Sequence, residues 1–307
     1  MGRYVVRRLL QMIPVFFGAT ILIFLMVNVM GDPIAGLCGE RQCDPATAAQ
    51  LRAEFGLDKP LWQQYLTYIG HIFTGDFGTA FNGQPVTELM ASAFPVTIRL
   101  TIVAIFFEII IGITLGVITG LRRGRPVDTG VLLLTLVVIS VPTFVTGLLA
   151  QLLLGVKWGW IKPSVSADAT FGELIVPGLV LASVSLAYVT RLTRTSIAEN
   201  KRSDYVRTAV AKGLPRRRVT IRHLLRNSLI PVITFIGTDV GALMGGAIVT
   251  ERIFNIHGVG YQLYQGIVRQ NTQTVVGFVT ILVLVFLVAN LLVDLLYAVL
   301  DPRIRYA

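Results

Sequence analysis

The chain has 307 residues, of which 54% are hydrophobic and only 14% charged. That composition excludes a soluble globular domain and points to a polytopic membrane protein. A formal net charge of +10 would suit a nucleic-acid partner, but the basic residues sit in short segments between apolar spans, and no nucleic-acid-binding pattern accompanies them.

A helix needs about 20 apolar residues to cross the hydrocarbon core. Six stretches meet or approach that length, at roughly 9–30, 98–121, 131–154, 174–192, 229–250 and 275–300. The expected fold class is therefore all-α, with six transmembrane helices. The fourth stretch is the most dilute, with Pro177, Ser183, Ser185 and Tyr188, yet Leu174 to Val189 contains no charge. Backbone groups at that depth must be satisfied by a helix.

The first stretch follows Arg3, Arg7 and Arg8, so a cleaved signal is an alternative. Its apolar run is long for a signal, and Leu37 before Cys38 spoils a lipoprotein cleavage site. The reading adopted is a first transmembrane helix over residues 1–30. Residues 31–95 then form an extracytoplasmic segment, and residues 96–307 a five-helix core that includes a cytoplasmic loop at 193–227.

The outer segment holds both cysteines, Cys38 and Cys43, with four residues between them. That spacing permits a small disulfide-closed loop in an oxidising compartment; two free thiols are the alternative. Two cysteines alone make no metal site. Further along, Leu61, Tyr65 and Ile69 after Pro60 have helical apolar spacing. They predict an amphipathic cap resting on the bilayer or on the span ends, for packing or for docking.

Orientation follows from the basic residues. Arg3, Arg7, Arg8, Arg122, Arg123, Arg125, Arg303, Arg305 and 11 Lys/Arg between Arg191 and Arg226 lie on one side. That side is the cytoplasm, so both termini are inside.

Within the spans, Glu108 and Asp239 are costly, since a charge at mid-bilayer costs about 2.5 to 3.5 kcal/mol. They either accept hydrogen bonds inside the bundle or border a translocation path. Gly237, Gly241 and Gly245, four residues apart, predict a face for close helix packing.

Motifs for chemistry are missing. There is no GxxxxGK[ST] phosphate loop, no HExxH around His71, His223 or His257, and no GxSxG. No catalytic residue, metal site or bound cofactor is expected. An aspartyl intramembrane protease using Asp239 and Asp294 lacks any flanking pattern.

The loop from Arg191 to Arg226 is the most informative segment. Ser203 or Asp204 can cap a short helix favoured by Ala209, Val210 and Ala211. Gly213 is a natural left-handed stop, and Pro215 opens a second helix. The result is an elbow whose first helix presents Tyr205 and Ala209 as a small-and-aromatic stripe suited to a protein cleft. Arg216, Arg217 and Arg218 favour the alternative, a helix lying on anionic lipid.

Here the sequence resembles the inner-membrane permease subunits of ATP-binding-cassette importers, specifically the B-type subunit of dipeptide and oligopeptide systems. Their loop signature, Glu-Ala-Ala, three residues, then Gly, is matched at Ala209 and Gly213, with Leu225 and Pro231 following. Arg207 and Thr208 depart from it, and Arg226 replaces a proline. The run Asp204 to Leu214 is similar to the peptide-permease form. So are Gly56 to Leu61, Gly75 to Gly78, Thr250 to Phe254 with Gly258 to Gly260, and Asn290 to Tyr297 with Asp301 to Arg303.

The resemblance implies an importer-type permease fold in a prokaryotic plasma (inner) membrane. It implies four kinds of partner: a second permease, two cytoplasmic ATPases that bind ATP and Mg, an extracytoplasmic substrate-binding protein, and membrane lipid. Asp204, Tyr205, Thr208, Ala209, Lys212, Gly213, Leu214 and Pro215 would form the ATPase-coupling interface. The reading from another class is a stand-alone ion-coupled carrier or channel using Glu108 and Asp239. Related permeases carry dipeptides, longer peptides, metal chelates or haem.

Overall fold

The computed structural model describes residues 2–29, 44–54, 57–80 and 83–300. Cys38 and Cys43, with the loop expected around them, lie outside these residues. Among the described residues the only extended pairing is one bridge between Thr79 and Pro85; everything else regular is helical. The helices in chain order are α1 (Gly2–Val29), α2 (Pro45–Glu54), α3 (Leu61–Thr74), α4 (Val86–Phe107), α5 (Thr114–Leu121), α6 (Pro126–Ser140), α7 (Thr143–Ala150), α8 (Ile175–Asn200), α9 (Asp204–Ala211), α10 (Arg216–Arg218), α11 (Arg226–Ser228), α12 (Ile230–Ile253), α13 (Val259–Val268) and α14 (Thr272–Leu300). Wider π-helical turns at Glu108–Ile113, Gln151–Lys157 and Val219–Leu225 prolong α4, α7 and α10.

Among the described residues, five helices are long and apolar enough to cross a membrane, or six if one bent pair is a single span. The second span is longer than the sequence suggests, running from Val86 to Leu121. The segment between the first two spans therefore ends ten residues before Pro95, because Pro95 sits inside a helix that neighbouring packing tolerates. The third expected span, 131–154, is not straight: α6 and α7 meet at 97°. Val141 is extended with ψ 123 and Pro142 follows, and proline pushes its predecessor out of the helical region while removing a donor. Pro177 is harmless, since it occupies the first turn of α8, where its missing N–H has no partner to lose.

The contacts divide the chain into two units, one of Met1–Thr97 with His257–Ala307, the other of Ile98–Ile256. In the first, α1 packs along α14, and α13 folds back on α14. Gly277 brings α14 so close to Phe77, Val86 and Met90 that a Cβ there would meet them at 3.0 to 3.1 Å. Phe94 stacks on the buried ring of Phe278 at 6.4 Å.

In the second unit α8 is central, in contact with α5, α6, α7, α12 and the π-helical turn at Glu108–Ile113. The close approach uses Gly112, Gly116 and Gly120, one per turn on a single face. A Cβ on them would lie 2.8, 2.4 and 2.8 Å from Val189, Thr193 and Ile197. On α12, of the three glycines expected to make a packing face, Gly245 meets nothing within 4 Å. The small-residue seam of this chain is on the second span, where glycine lets helix backbones approach and dispersion and packing hold them.

Candidate functional site

α8 carries the chain from the apolar region into the basic loop without a break, and an elbow is built on its end. Ser203 stands at the start of α9 with extended backbone, but its hydroxyl donates to the Asn200 carbonyl at 2.5 Å and caps nothing. The expected side-chain cap is thus absent. Asp204 still places a carboxylate in the first turn, where the helix dipole favours it.

The far end of α9 is as the sequence predicts. Gly213 is left-handed at φ 74. Its N–H donates to the Val210 carbonyl at 2.9 Å, and that of Leu214 to Ala209 at 3.3 Å. This pair of bonds is the Schellman closure, for which glycine is the usual residue. Pro215 then starts α10, and the π-helical turn behind it leads to α11 and α12.

The elbow is fastened by burial. Val206 and Ala209 of α9 pack with Ile197, Val219 and Leu224, bordered by Val117, Leu121, Leu214 and Leu225. Ala209 is only 5% exposed. This corrects the expected stripe of Tyr205 and Ala209: on an eight-residue helix Ala209 belongs to the inward face with Val206, three positions earlier. Tyr205 lies at the edge, 37% exposed, its hydroxyl donating to Asn200 Oδ1 at 2.8 Å. The outward face is formed by Asp204, Arg207, Thr208 and Ala211, continuing into Lys212, Gly213 and Pro215, while Leu214 is half-buried. Asp204 and Arg207 pair at 3.7 Å in full exposure, an ion pair of little energetic weight.

Three polar links tie the elbow's root to neighbouring helices. Arg194 of α8 grips Asp128 of α6 with two nitrogens, Nε to Oδ1 at 2.5 Å and a terminal N–H to Oδ2 at 2.8 Å. The Gly124 N–H donates to the same carboxylate at 2.8 Å. Lys201 Nζ donates to the Leu121 carbonyl at 3.0 Å, and Ser196 Oγ to the Ser228 carbonyl at 2.8 Å. A two-point guanidinium–carboxylate contact fixes orientation as well as distance. α8, α6, the end of α5 and the second arm of the elbow are therefore one mechanical piece. Sequence reasoning misses Asp128 and Arg194, which nothing local distinguishes from other basic-loop charges. The glycine spacing at 112, 116 and 120, by contrast, is a signal from which the seam could have been found.

Glu108 opens a π-helical turn, a feature that often marks functional positions. It is fully buried, and neither carboxylate oxygen has a hydrogen-bond partner. Asp239 on α12 is close enough for the two to interact, and its Oδ2 has no hydrogen-bond partner. The structure thus brings together the two acidic residues singled out from sequence. Among the described residues no group of three His, Cys, Asp or Glu is placed to hold a metal ion.

Comparison with known proteins places this architecture. The family model "Binding-protein-dependent transport system inner membrane component" matches residues 112–306, and its N-terminal companion, "Binding-prot-dependent transport system membrane comp, N-term", matches residues 1–101. The dipeptide transport system permease protein DppB of Escherichia coli (strain K12) is 39% identical over 337 aligned residues, covering 100% of this chain and 99% of that protein. The di/tripeptide transport system permease protein DppB of Pseudomonas aeruginosa (strain UCBPP-PA14) is 37% identical, covering 99% and 98%. The glutathione transport system permease protein GsiC of Salmonella typhi is 37% identical, covering both chains completely. With two family models spanning nearly its whole length and full-length relatives at this identity, the chain belongs to the inner-membrane components of binding-protein-dependent transport systems and is a multi-pass membrane protein.

Proposed function

We propose that this chain is the permease subunit of an ATP-driven importer of peptides. It forms half of the translocation path and takes its motion from a cytoplasmic ATPase through the α9 elbow. The observation that carries the reading is the elbow itself. Its inward face packs through Val206 and Ala209, its root is tied to neighbouring helices by Arg194, Lys201 and Ser196, and its outward face is free of internal packing. Such a part transmits a push. It has no chemistry of its own, so ATP and Mg belong to the partner ATPases. The peptide substrate is supported by the names of the full-length relatives.

In this reading both termini and the elbow are cytoplasmic. The partners are a second permease of similar build, two ATPases and an external binding protein that hands over the peptide. ATP-driven closure of the ATPase pair moves the elbows, and the two permeases rock so that the cavity opens outward to receive substrate. Asp204, Tyr205, Thr208, Lys212, Gly213, Leu214 and Pro215 form the contact, with Ala209 holding it from behind. Glu108 and Asp239 are interior polar residues bordering the path.

The test uses the outward face, where substitution leaves the fold alone. Thr208→Arg or Ala211→Trp should abolish ATP-dependent uptake of a di- or tripeptide in reconstituted vesicles, with assembly of the membrane subunits and thermal stability unchanged. Normal uptake by both variants would remove the elbow from coupling. Uptake by this chain without ATPases would replace the whole reading by that of a self-sufficient carrier.

A further inference from the structure

Helix α3 carries an apolar face that no described residue of its own unit covers. It begins after Pro60, whose fixed φ suits a helix start, and stops at left-handed Gly75, whose N–H is directed at the His71 and Ile72 carbonyls. One side of α3 packs on α1 and α14. Tyr65 shares a hydrogen bond with Thr20 at 3.0 Å, and Phe24 lies 5.6 and 6.2 Å from the rings of Tyr65 and Tyr68. Phe73 lies 6.3 Å from Phe16, and Tyr68 shares a hydrogen bond with Thr280 at 2.6 Å. On the other side Trp62 and Leu66 are 62% and 59% exposed, and Phe73, at the edge beside Phe16, is 76% exposed. No Asp, Glu, Lys or Arg occurs anywhere in the helix.

Depth follows from these contacts. Thr20 and Phe16 are interior to the membrane-crossing stretch Val5–Met26, and Thr280 is interior to Thr272–Val293. At 1.5 Å per residue, Phe16 is about 15 Å from either end of its stretch. Phe73 therefore reaches the level of the middle of α1, whereas Tyr65 and Tyr68 sit nearer its end, beside Phe24. α3 descends alongside α1.

We propose that α3 is sunk into one leaflet of the bilayer, with Trp62, Leu66 and Phe73 against lipid acyl chains. Its face continues the exposed apolar surface of α1, including Phe17, Ile21 and Leu25, which has the same surroundings. Within α3 the helical bonds satisfy the backbone internally, and after Gly75 the chain turns back toward the start of α14, where the Thr79 N–H donates to Gln273 Oε1 at 3.1 Å. The segment between the first two spans is thereby partly a membrane element, deeper than the surface cap that its spacing predicts.

The test is collisional accessibility of nitroxide labels at Leu66→Cys and Phe73→Cys, in the assembled transporter with other cysteines replaced and peptide uptake retained. Oxygen, which concentrates in lipid, should relax both labels several-fold more than a water-soluble nickel chelate, with the greater ratio at Phe73→Cys. Equal or stronger relaxation by nickel would put α3 in water and overturn the proposal. Weak relaxation by both reagents would mean that a protein subunit covers the face, and would overturn it equally. If one label impairs uptake, the other decides alone.

Discussion

Replacing Gly116 by alanine tests whether the α5–α8 seam holds the second unit together. The added Cβ would lie 2.4 Å from the Thr193 Cβ and 2.7 Å from the Thr190 carbonyl oxygen. Comfortable carbon contacts are about 3.5 to 4.0 Å, so the helices must part by about 1 Å. Backbone and a β-branched side chain cannot yield as a flexible chain end would. Neighbouring contacts at Gly112 and Gly120 lie on the same face and must open with it. Overpacking of this kind costs about 1–3 kcal/mol. The control is Gly245→Ala, where nothing lies within 4 Å. Both glycines are helical, so both substitutions gain the same roughly 0.8–1.0 kcal/mol of helix propensity, and the comparison isolates the clash. At about 2 to 4 °C per kcal/mol for a chain of this size, Gly116→Ala should melt about 2 to 12 °C below Gly245→Ala. The assay is thermal unfolding of the purified chain in mild detergent. Coincident melting, or Gly245→Ala melting lower, would refute the argument from close approach.

Asp128→Asn should destabilise by roughly 2 to 4 kcal/mol, discounted from the about 3–5 of a fully buried pair because Arg194 keeps some exposure. The double change Asp128→Leu with Arg194→Met should recover most of that loss, and additive losses in denaturation would refute it. Gly213→Val places a β-branched residue at φ 74 in open space, so the cost is backbone strain of about 1–2 kcal/mol. Membrane insertion should persist while uptake falls, and Gly213→Asn should transport better than Gly213→Val. The Ser166 hydroxyl, then Lys162, hold the Glu173 carboxyl down from 4.5 to about 2. Its stabilising contribution is therefore complete above about pH 4.5 and disappears as pH falls toward 2. A spin label at Gly172→Cys should gain mobility over that window, and the same step in a Glu173→Gln background would exclude the carboxyl as its source.

Much of the architecture was legible because bilayer thickness imposes a length that composition reveals directly. The break at Val141–Pro142 was equally open to reading, since proline acts locally, but an uninterrupted apolar run concealed it. The Gly213 stop was legible for the same local reason. Which face of α9 points outward was not: Ala209 and Tyr205 are both plausible docking residues on a lone helix, and only Ile197 and Leu224, brought from elsewhere in the chain, settle that Ala209 turns inward. Asp128 and Arg194 are separated in sequence and look like ordinary loop charges until the fold joins them. Gly245 shows the converse, a glycine in a small-residue repeat with open space beside it.

The first unit is assembled from both ends of the chain, and this has consequences during synthesis. α1 emerges first, yet α14, along which it packs, begins only at Thr272. At about 5–20 residues per second, roughly ten to fifty seconds separate the two. During that interval α1 must survive in the membrane without its principal neighbour. Its low internal burial, 11% of its most apolar window, suits it to wait. The second unit, contiguous from Ile98 to Ile256, can fold as it is made, so a nascent chain arrested before α14 would display a finished elbow on an unfinished protein.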